Sequence, residues 1–519
     1  MKQILSKNTV FQFLLFLLIF GGTNIAISQT PNLGIFAESN DIGTCFVKGS
    51  AVYNPITQEY TISGAGSNMW FGKDAFHFLY KKMKGDFILQ FEFKFVGEAK
   101  NQHRKVGWMV RNDSSFNAAH INGTVHNDGL TSIQYRLAKG ATTLELKMDK
   151  KEQNNIVQLE RRGNRYIFSA AIKGQEFKTI ELMDSALVIN DEALVGMFIC
   201  SHEKEHKETA IISSVRITIP SKAGLVPYKE YIGSNLEIMD IETGSRRIVY
   251  TAPNSIQAPN WTKDGKSLIY NGDGKLYNFN LKTGQPTVID TKFAIKNNND
   301  HVLSFDGKML GISNASENKE RKSQVFIVPR KGGTPKLITE KAPSYFHGFS
   351  LDGKNMLFTG GREEKDNFEI YSINIKTKVE TRLTNSPGLD DGSEYSPDGN
   401  YIYFNSVRSG KMQIWRMKPD GSNPERITND EWNNWFPHVS PNGKYIVYIA
   451  FGNDVKPGDH PFYKHVSLRL MDLETRKVTV LVHLYGGQGT INVPSWSPDS
   501  KKFAFVSNTA LPEWNAKCY

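Results

Sequence analysis

Cysteine is scarce, with three in 519 residues, at positions 45, 200 and 518. None stands at a Cys/His spacing that holds zinc, which excludes a zinc ribbon or finger. Long apolar runs are equally few. Residues 10–20, VFQFLLFLLIF, form the main one, and it is too short for a membrane span. Blocks of lysine and arginine with interleaved aromatics are missing although the formal charge is +10, so nucleic acid is excluded as a partner. The nucleophile-elbow pattern G-x-S-x-G is also missing; GFSLD at 348–352 lacks its final glycine, so serine-hydrolase chemistry has no support. Nothing in the chain calls for a cofactor or a resident metal.

What is present is strand and turn. With 43 glycines, 21 prolines and 39% hydrophobic residues, the composition is that of a turn-rich globular protein too long for one core. The first residues read as an export address. Lys2 and Lys7 precede the apolar run, and Ala26-Ile27-Ser28 offers small residues for cleavage before Gln29. The expectation is a signal peptide over 1–28 and a periplasmic or secreted mature chain with no integral membrane segment. Removing the two lysines lowers the formal charge from +10 to +8. Cys45 and Cys200 lie near the two ends of one domain, and an exported chain leaves them open to a bridge or to two independent buried thiols.

Residues 31–220 are dominated by strand signals. FILQFEFKF at 87–95 sets Leu89, Phe91, Phe93 and Phe95 on one face and Gln90, Glu92 and Lys94 on the other. The segment around Phe76, Phe78 and Tyr80 fits either a helix or a strand, and its strand-rich neighbourhood favours the strand. Many strands and almost no helix predict two stacked antiparallel sheets, a sandwich or jelly roll.

NMWFGKDAFHFLYKKMKGDF (68–87), HNDGLTSIQYR (126–136) and VGMFICSH (195–202) resemble the concanavalin-like jelly rolls of secreted bacterial proteins. That resemblance implies a carbohydrate-binding face, with Trp70, His77, Trp108, Arg111, His126, Asp128, Tyr135 and Arg136 as its candidates. The competing reading places the aromatics in the core and the charges on the rim.

Residues 233–508 repeat. Aligned on a turn glycine stand NWTKDGKSLIY (260–270), VLSFDGKMLGI (302–312), GFSLDGKNMLF (348–358), EYSPDGNYIYF (394–404), HVSPNGKYIVY (438–448) and SWSPDSKKFAF (495–505). A second hairpin type follows each of the first five. The sixth copy is missing at the end and appears at the start, as NLEIMDIETGSRRIV (235–249). Two hairpins make a four-stranded blade, so the permutation predicts a six-bladed β-propeller closed by both chain segments. The expected organisation is all-β, with a linker at 221–232 and a tail at 509–519. These turns and hairpins resemble the propeller repeats of TolB and related periplasmic proteins, with a jelly roll where TolB carries an α/β domain.

The tips of the hairpins lie on one face of such a propeller, and the interblade and mid-blade loops on the other. The loop face collects the unusual residues: His301, His347, Asp391, Glu394, Arg408, Trp435, His438 and, from an insertion at 451–465, His465. The first reading is a non-enzymatic module binding a glycan or an envelope protein, with Trp435 stacking on the ligand. The rival is a polysaccharide lyase or hydrolase, using Glu394 with Asp390 or Asp391, or a metal held by His301, His347 and His438.

Overall fold

In the computed structural model residues 32–315, 322–362 and 367–511 are described; the expected signal peptide at 1–28 and Cys518 lie outside them. The first domain's strands form two seven-stranded antiparallel sheets. One runs in the order Glu38–Ile42, Phe76–Lys84, Glu192–Cys200, Lys105–Arg111, His120–His126, Thr131–Arg136 and Leu144–Lys147. The other runs Lys178–Met183, Arg165–Ala171, Ile156–Arg162, Phe87–Val96, Glu203–Thr218, Glu59–Gly66 and Ser50–Asn54. Leu89, Phe91, Trp108, Ile121, Leu159, Phe168, Met197 and Ile212 fill the space between them. The ambiguous segment is the strand Phe76–Lys84. Leu79 and Met83 enter this core, while Phe76, Phe78 and Tyr80 enter a second apolar cluster with Met109 and Phe198. Burial on both faces is what blurred the two-residue period.

Five four-stranded sheets follow, with innermost strands Ile256–Trp261, Asn297–Leu303, Ser344–Phe349, Asp390–Tyr395 and Asn433–Val439; these are blades 1 to 5. Blade 6 joins both segments. Lys502–Thr509 pairs with Gly233–Asp240, which pairs with Arg246–Ala252. The axial strand of that blade is reduced to a single bridge between Trp496 and Phe503.

The repeated Ser-x-Asp-Gly turn is held by its own side chains. Ser396 Oγ donates to Asp398 Oδ1 at 2.6 Å and accepts from the Tyr401 amide at 3.0 Å, and Asp398 Oδ1 accepts from the Asn400 amide at 3.0 Å. Gly399 completes the turn at φ 72°, a conformation that costs glycine nothing; in blade 6 Ser500 takes the same place at φ 62°. A β-bulge interrupts the innermost strand of blades 1 to 5, between Gln257/Asn260, Asn297/His301, Phe346/Gly348, Asp391/Glu394 and Trp435/His438. Each bulge resets which residues face the axis beyond it.

From Leu33 onward the chain forms one compact unit. A bulge at Ser213/Arg216 re-aims Arg216 out of its sheet and into the propeller, where it meets Glu237. Glu237 is fully buried. Its carboxylate accepts from Arg216 at 2.5 Å, from Arg246 at 2.8 and 2.9 Å, and from Ser507 of the closing strand at 2.5 Å. Arg246 reaches back to Gln90 of the jelly roll at 3.2 Å. Burial alone would raise the Glu237 carboxyl, but the Arg216 and Arg246 guanidiniums hold it well below the usual carboxylate range. The polar face of Phe87–Val96 is therefore partly buried against the propeller. The Phe177 ring stacks on His483 at 3.9 Å nearby.

Candidate functional site

On the loop face of the propeller a cavity of about 670 Å³ opens around the axis. All six blades contribute to its wall, with Asn271 and Asp273, Asn297 to Asp300, Tyr345 and His347, Asp391, Phe436 and His460, and Asn492 in turn. The linker contributes too. Tyr228 and Tyr231 stand over the mouth, each packed edge-on against Phe462 of the insertion, at 5.1 and 5.7 Å between ring centres. The Tyr463 hydroxyl anchors the same linker by accepting the Ile232 amide at 3.1 Å.

The charges of the wall are unbalanced. It holds Asp273, Asp300 and Asp391, and among the described residues no lysine or arginine lines it. His347 Nε2 stands 2.8 Å from Asp391 Oδ1, and Thr359 Oγ1 donates to the same oxygen at 2.8 Å. Burial opposes the charge on both partners. Their attraction wins, raising the His347 imidazole and lowering Asp391 to about 2. Asp300 differs. Burial pushes it up to about 6, the nearby His347 charge pulls against that while Asp391 adds to it, and among the described residues its side-chain hydrogen bond is from the neutral Asn298 amide, at 2.6 Å.

Of the loop-face residues expected from sequence, His347 and Asp391 meet in this cavity. The others do not line it. Trp435 has no exposed surface and packs against His460 and Phe436, so it is a core residue rather than a stacking platform. His301 is fully buried with Nε2 3.3 Å from the Ile269 carbonyl. Arg408 bonds Asp390 at 2.7 Å and covers Phe404 and Trp415. Glu394 lies beyond the bulge and lines a smaller cavity, about 280 Å³, walled by Trp261, Phe349 and Trp496. His438 Nδ1 meets it at 2.6 Å. His465 pairs with Glu160 of the jelly roll at 2.9 Å. The carboxylate pair Glu394 with Asp390 or Asp391 is therefore split among three environments. Among the described residues no group of three or more His, Cys, Asp or Glu side chains is placed to hold a metal ion, so the proposed histidine trio does not converge.

The jelly-roll candidates also have structural duties. Arg111 and Arg136 are fully buried and share the carboxylate of Asp74, at 3.2 and 2.7 Å. Trp108 and His77 are buried too, the first in the sandwich core and the second on Asp41. His126 Nδ1 meets the Leu130 carbonyl at 3.1 Å, and burial holds the ring neutral, its pKa down to about 2. Asp128 bonds Lys151 at 2.5 Å, Tyr135 packs on the sandwich core, and the backbone of Trp70 accepts the Thr143 amide. HEKEH at 202–206 spells the zinc-protease pattern. It falls at the start of strand Glu203–Thr218 instead of on the helix whose one face that pattern needs. Cys45 and Cys200 are free thiols, and burial pushes Cys45 up to about 12.

A family model described as the TolB beta propeller domain matches residues 342–460. An uncharacterized protein of Agrobacterium fabrum is 47% identical over 274 residues, covering 53% of this chain and 92% of its own length. The chain belongs to the TolB β-propeller family. A solved structure from Agrobacterium tumefaciens assigned to TolB is 45% identical, with 54% of this chain and all of that one aligned at a TM-score of 0.52. The Tol-Pal system protein TolB of Francisella tularensis is 26% identical over 281 residues, 52% of this chain and 61% of its own. In this TolB-family propeller the cavity wall also contains residues that the repeat pattern did not single out, Tyr228, Tyr231, Asn271 and Asp273. An aromatic pair in the short linker at 221–232 was the one signal for the first two.

Proposed function

We propose that this protein is a non-enzymatic binding module of the bacterial envelope that takes a segment of a partner protein into the loop-face cavity. The observation that carries the reading is a cavity at the axial mouth to which every blade and the interdomain linker contribute. Its volume suits a few residues of an extended chain, and its aromatic rim suits apolar side chains. Membership of the TolB family and the export address at 1–28 support an envelope location. The jelly roll then acts as a rigid brace, since the polar face of Phe87–Val96 is partly buried against the propeller. A lyase or hydrolase acting on acidic polysaccharide is the weaker reading, because uronate carboxylates would meet Asp273, Asp300 and Asp391 with no lysine or arginine among the described residues to pair them.

A photo-crosslinking amino acid placed at Tyr345 in cells tests the reading. A discrete protein adduct that is absent when the same group replaces Lys354, on the turn face, is the expected result. Adducts from Lys354 alone would overturn it.

A further inference from the structure

Resting on that reading of the cavity, we propose that the group it receives is a cation on an aliphatic stem, a lysine or arginine side chain of the partner polypeptide. Three observations point there. First, the wall is acidic in a chain whose formal charge is +10, and its three carboxylates face no lysine or arginine among the described residues. A random patch of a basic surface would carry the opposite sign. Second, the wall has acceptors that lack donors. Among the described residues Asn271 Oδ1 and Asn297 Oδ1 are buried without a hydrogen-bond partner, on residues 4% and 6% exposed, and Asp300 is 6% exposed with only the Asn298 amide donating to its side chain. Buried polar groups are ordinarily satisfied, so unmatched acceptors ask for a donor-rich guest. Lysine offers three N–H donors and arginine five, and neither offers an acceptor. Third, the passage to these acceptors is aromatic. Tyr228, Tyr231, Tyr345, Phe368 and Phe462 give ring faces to an ammonium or guanidinium and cover its methylenes. A neutral sugar would bring donors and acceptors in equal measure and leave the acid unexplained; a phosphate or uronate would be repelled.

The geometry also ranks the carboxylates. Asp391 already has the His347 imidazole 2.8 Å away, so part of its charge is matched. Among the described residues Asp300 has no ion pair in contact and feels the His347 charge only from farther off, so it is the group on which an incoming cation has most to gain. Asp273 is exposed at the edge and bonds Asn254 at 2.6 Å, where it steers more than it holds.

Calorimetric titration of the purified protein with Gly-Lys-Gly, acetylated and amidated so that the side chain is its sole charge, tests this against the norleucine counterpart and against n-butylamine. The lysine peptide binds and the norleucine peptide binds at least about tenfold more weakly, the lower end for a hydrogen bond to a charged group. Asp300→Asn reduces lysine-peptide affinity by a similar factor with an unchanged circular dichroism spectrum. Asp273→Asn, at an exposed position that cannot unfold the chain, reduces it less. Equal binding of the two peptides, or no loss in Asp300→Asn, overturns the cation while leaving the Tyr345 crosslink and the binding reading intact. Tighter binding of n-butylamine than of the capped peptide overturns the polypeptide source. Absence of binding by all three probes, together with no Tyr345 adduct, overturns both proposals.

Discussion

Glu237 joins the two domains and the closing strand, so removing it tests how the fold is held. Glu237→Gln keeps the shape and hydrogen-bonding reach of the side chain but leaves Arg216 and Arg246 buried with no counter-charge. Breaking a buried pair by taking away one partner costs about 3–5 kcal/mol, because the remaining charge stays desolvated. Two guanidiniums are stranded here, while the amide oxygen can still accept one hydrogen bond, which sets the expectation near the middle of that range. Against a typical total of about 5–15 kcal/mol this is a large fraction. Urea unfolding at pH 7, followed by circular dichroism and tryptophan fluorescence, should show the midpoint falling while the slope stays constant. Replacing the triad together, Arg216→Met, Glu237→Leu and Arg246→Met, should recover most of the loss, since no charge is then buried. The pH dependence has a fixed sign. With its folded pKa depressed, Glu237 contributes its full stability above the unfolded value of about 4.3 and loses it as pH falls below that. Glu237→Gln should therefore flatten the acid limb of the stability curve. A loss under about 1 kcal/mol, or an unchanged acid limb, would refute the reasoning.

Other consequences follow from the same contacts. Trp435→Ala should destabilise the propeller by about 3–5 kcal/mol, read by urea unfolding, because it empties a core site; wild-type stability would show that the ring is dispensable. Asp300, raised to about 6, favours the folded apoprotein when protonated, so apo stability should fall as pH rises from about 4 through 6. Affinity for the lysine peptide should rise over the upper part of that window, and a flat affinity profile between pH 5 and 7 would contradict this. In a Cys518→Ser background, Cys45 and Cys200 should react with a thiol reagent only after unfolding, since burial raises both thiols; rapid labelling of the native protein would contradict it. Truncation before Lys502 should abolish cooperative unfolding of the propeller, because Gly233–Asp240 then keeps only Arg246–Ala252 and loses the closing strand along its whole length.

The repeats were legible because turn chemistry is local. Ser396, Asp398 and Gly399 make their bonds within five residues, and the same or equivalent letters return in each blade, with Thr262, Asn442 and Ser500 as the substitutes. The displaced hairpin at 235–249 was legible for the same reason, and with it the closure of the ring. Facing was not. Strict alternation puts Asp391 and Glu394, three residues apart, on opposite faces of the strand; the bulge between them adds a residue and changes that phase, and the two acids line separate cavities, Asp391 the loop-face one and Glu394 the smaller one. The same irregularity separates His438 from His347. Positive φ at Ala258 and Phe436, neither a residue that announces it, marks two of these bulges. Trp435 was misplaced for a different reason. A tryptophan before an inner strand looks like a ligand platform, and only the position of His460, brought in from the insertion, shows that it is covered. In the jelly roll Arg111 and Arg136 read as free donors because Asp74, far away in sequence, is what they bind.

The most direct test of the account is hydrogen exchange on the protein with and without the partner segment recovered by the Tyr345 crosslink. Protection confined to residues 226–231, 297–301, 345–347 and 389–392 is the predicted result. Protection on the hairpin tips at 352–354 and 398–400, or on the jelly roll alone, would contradict it.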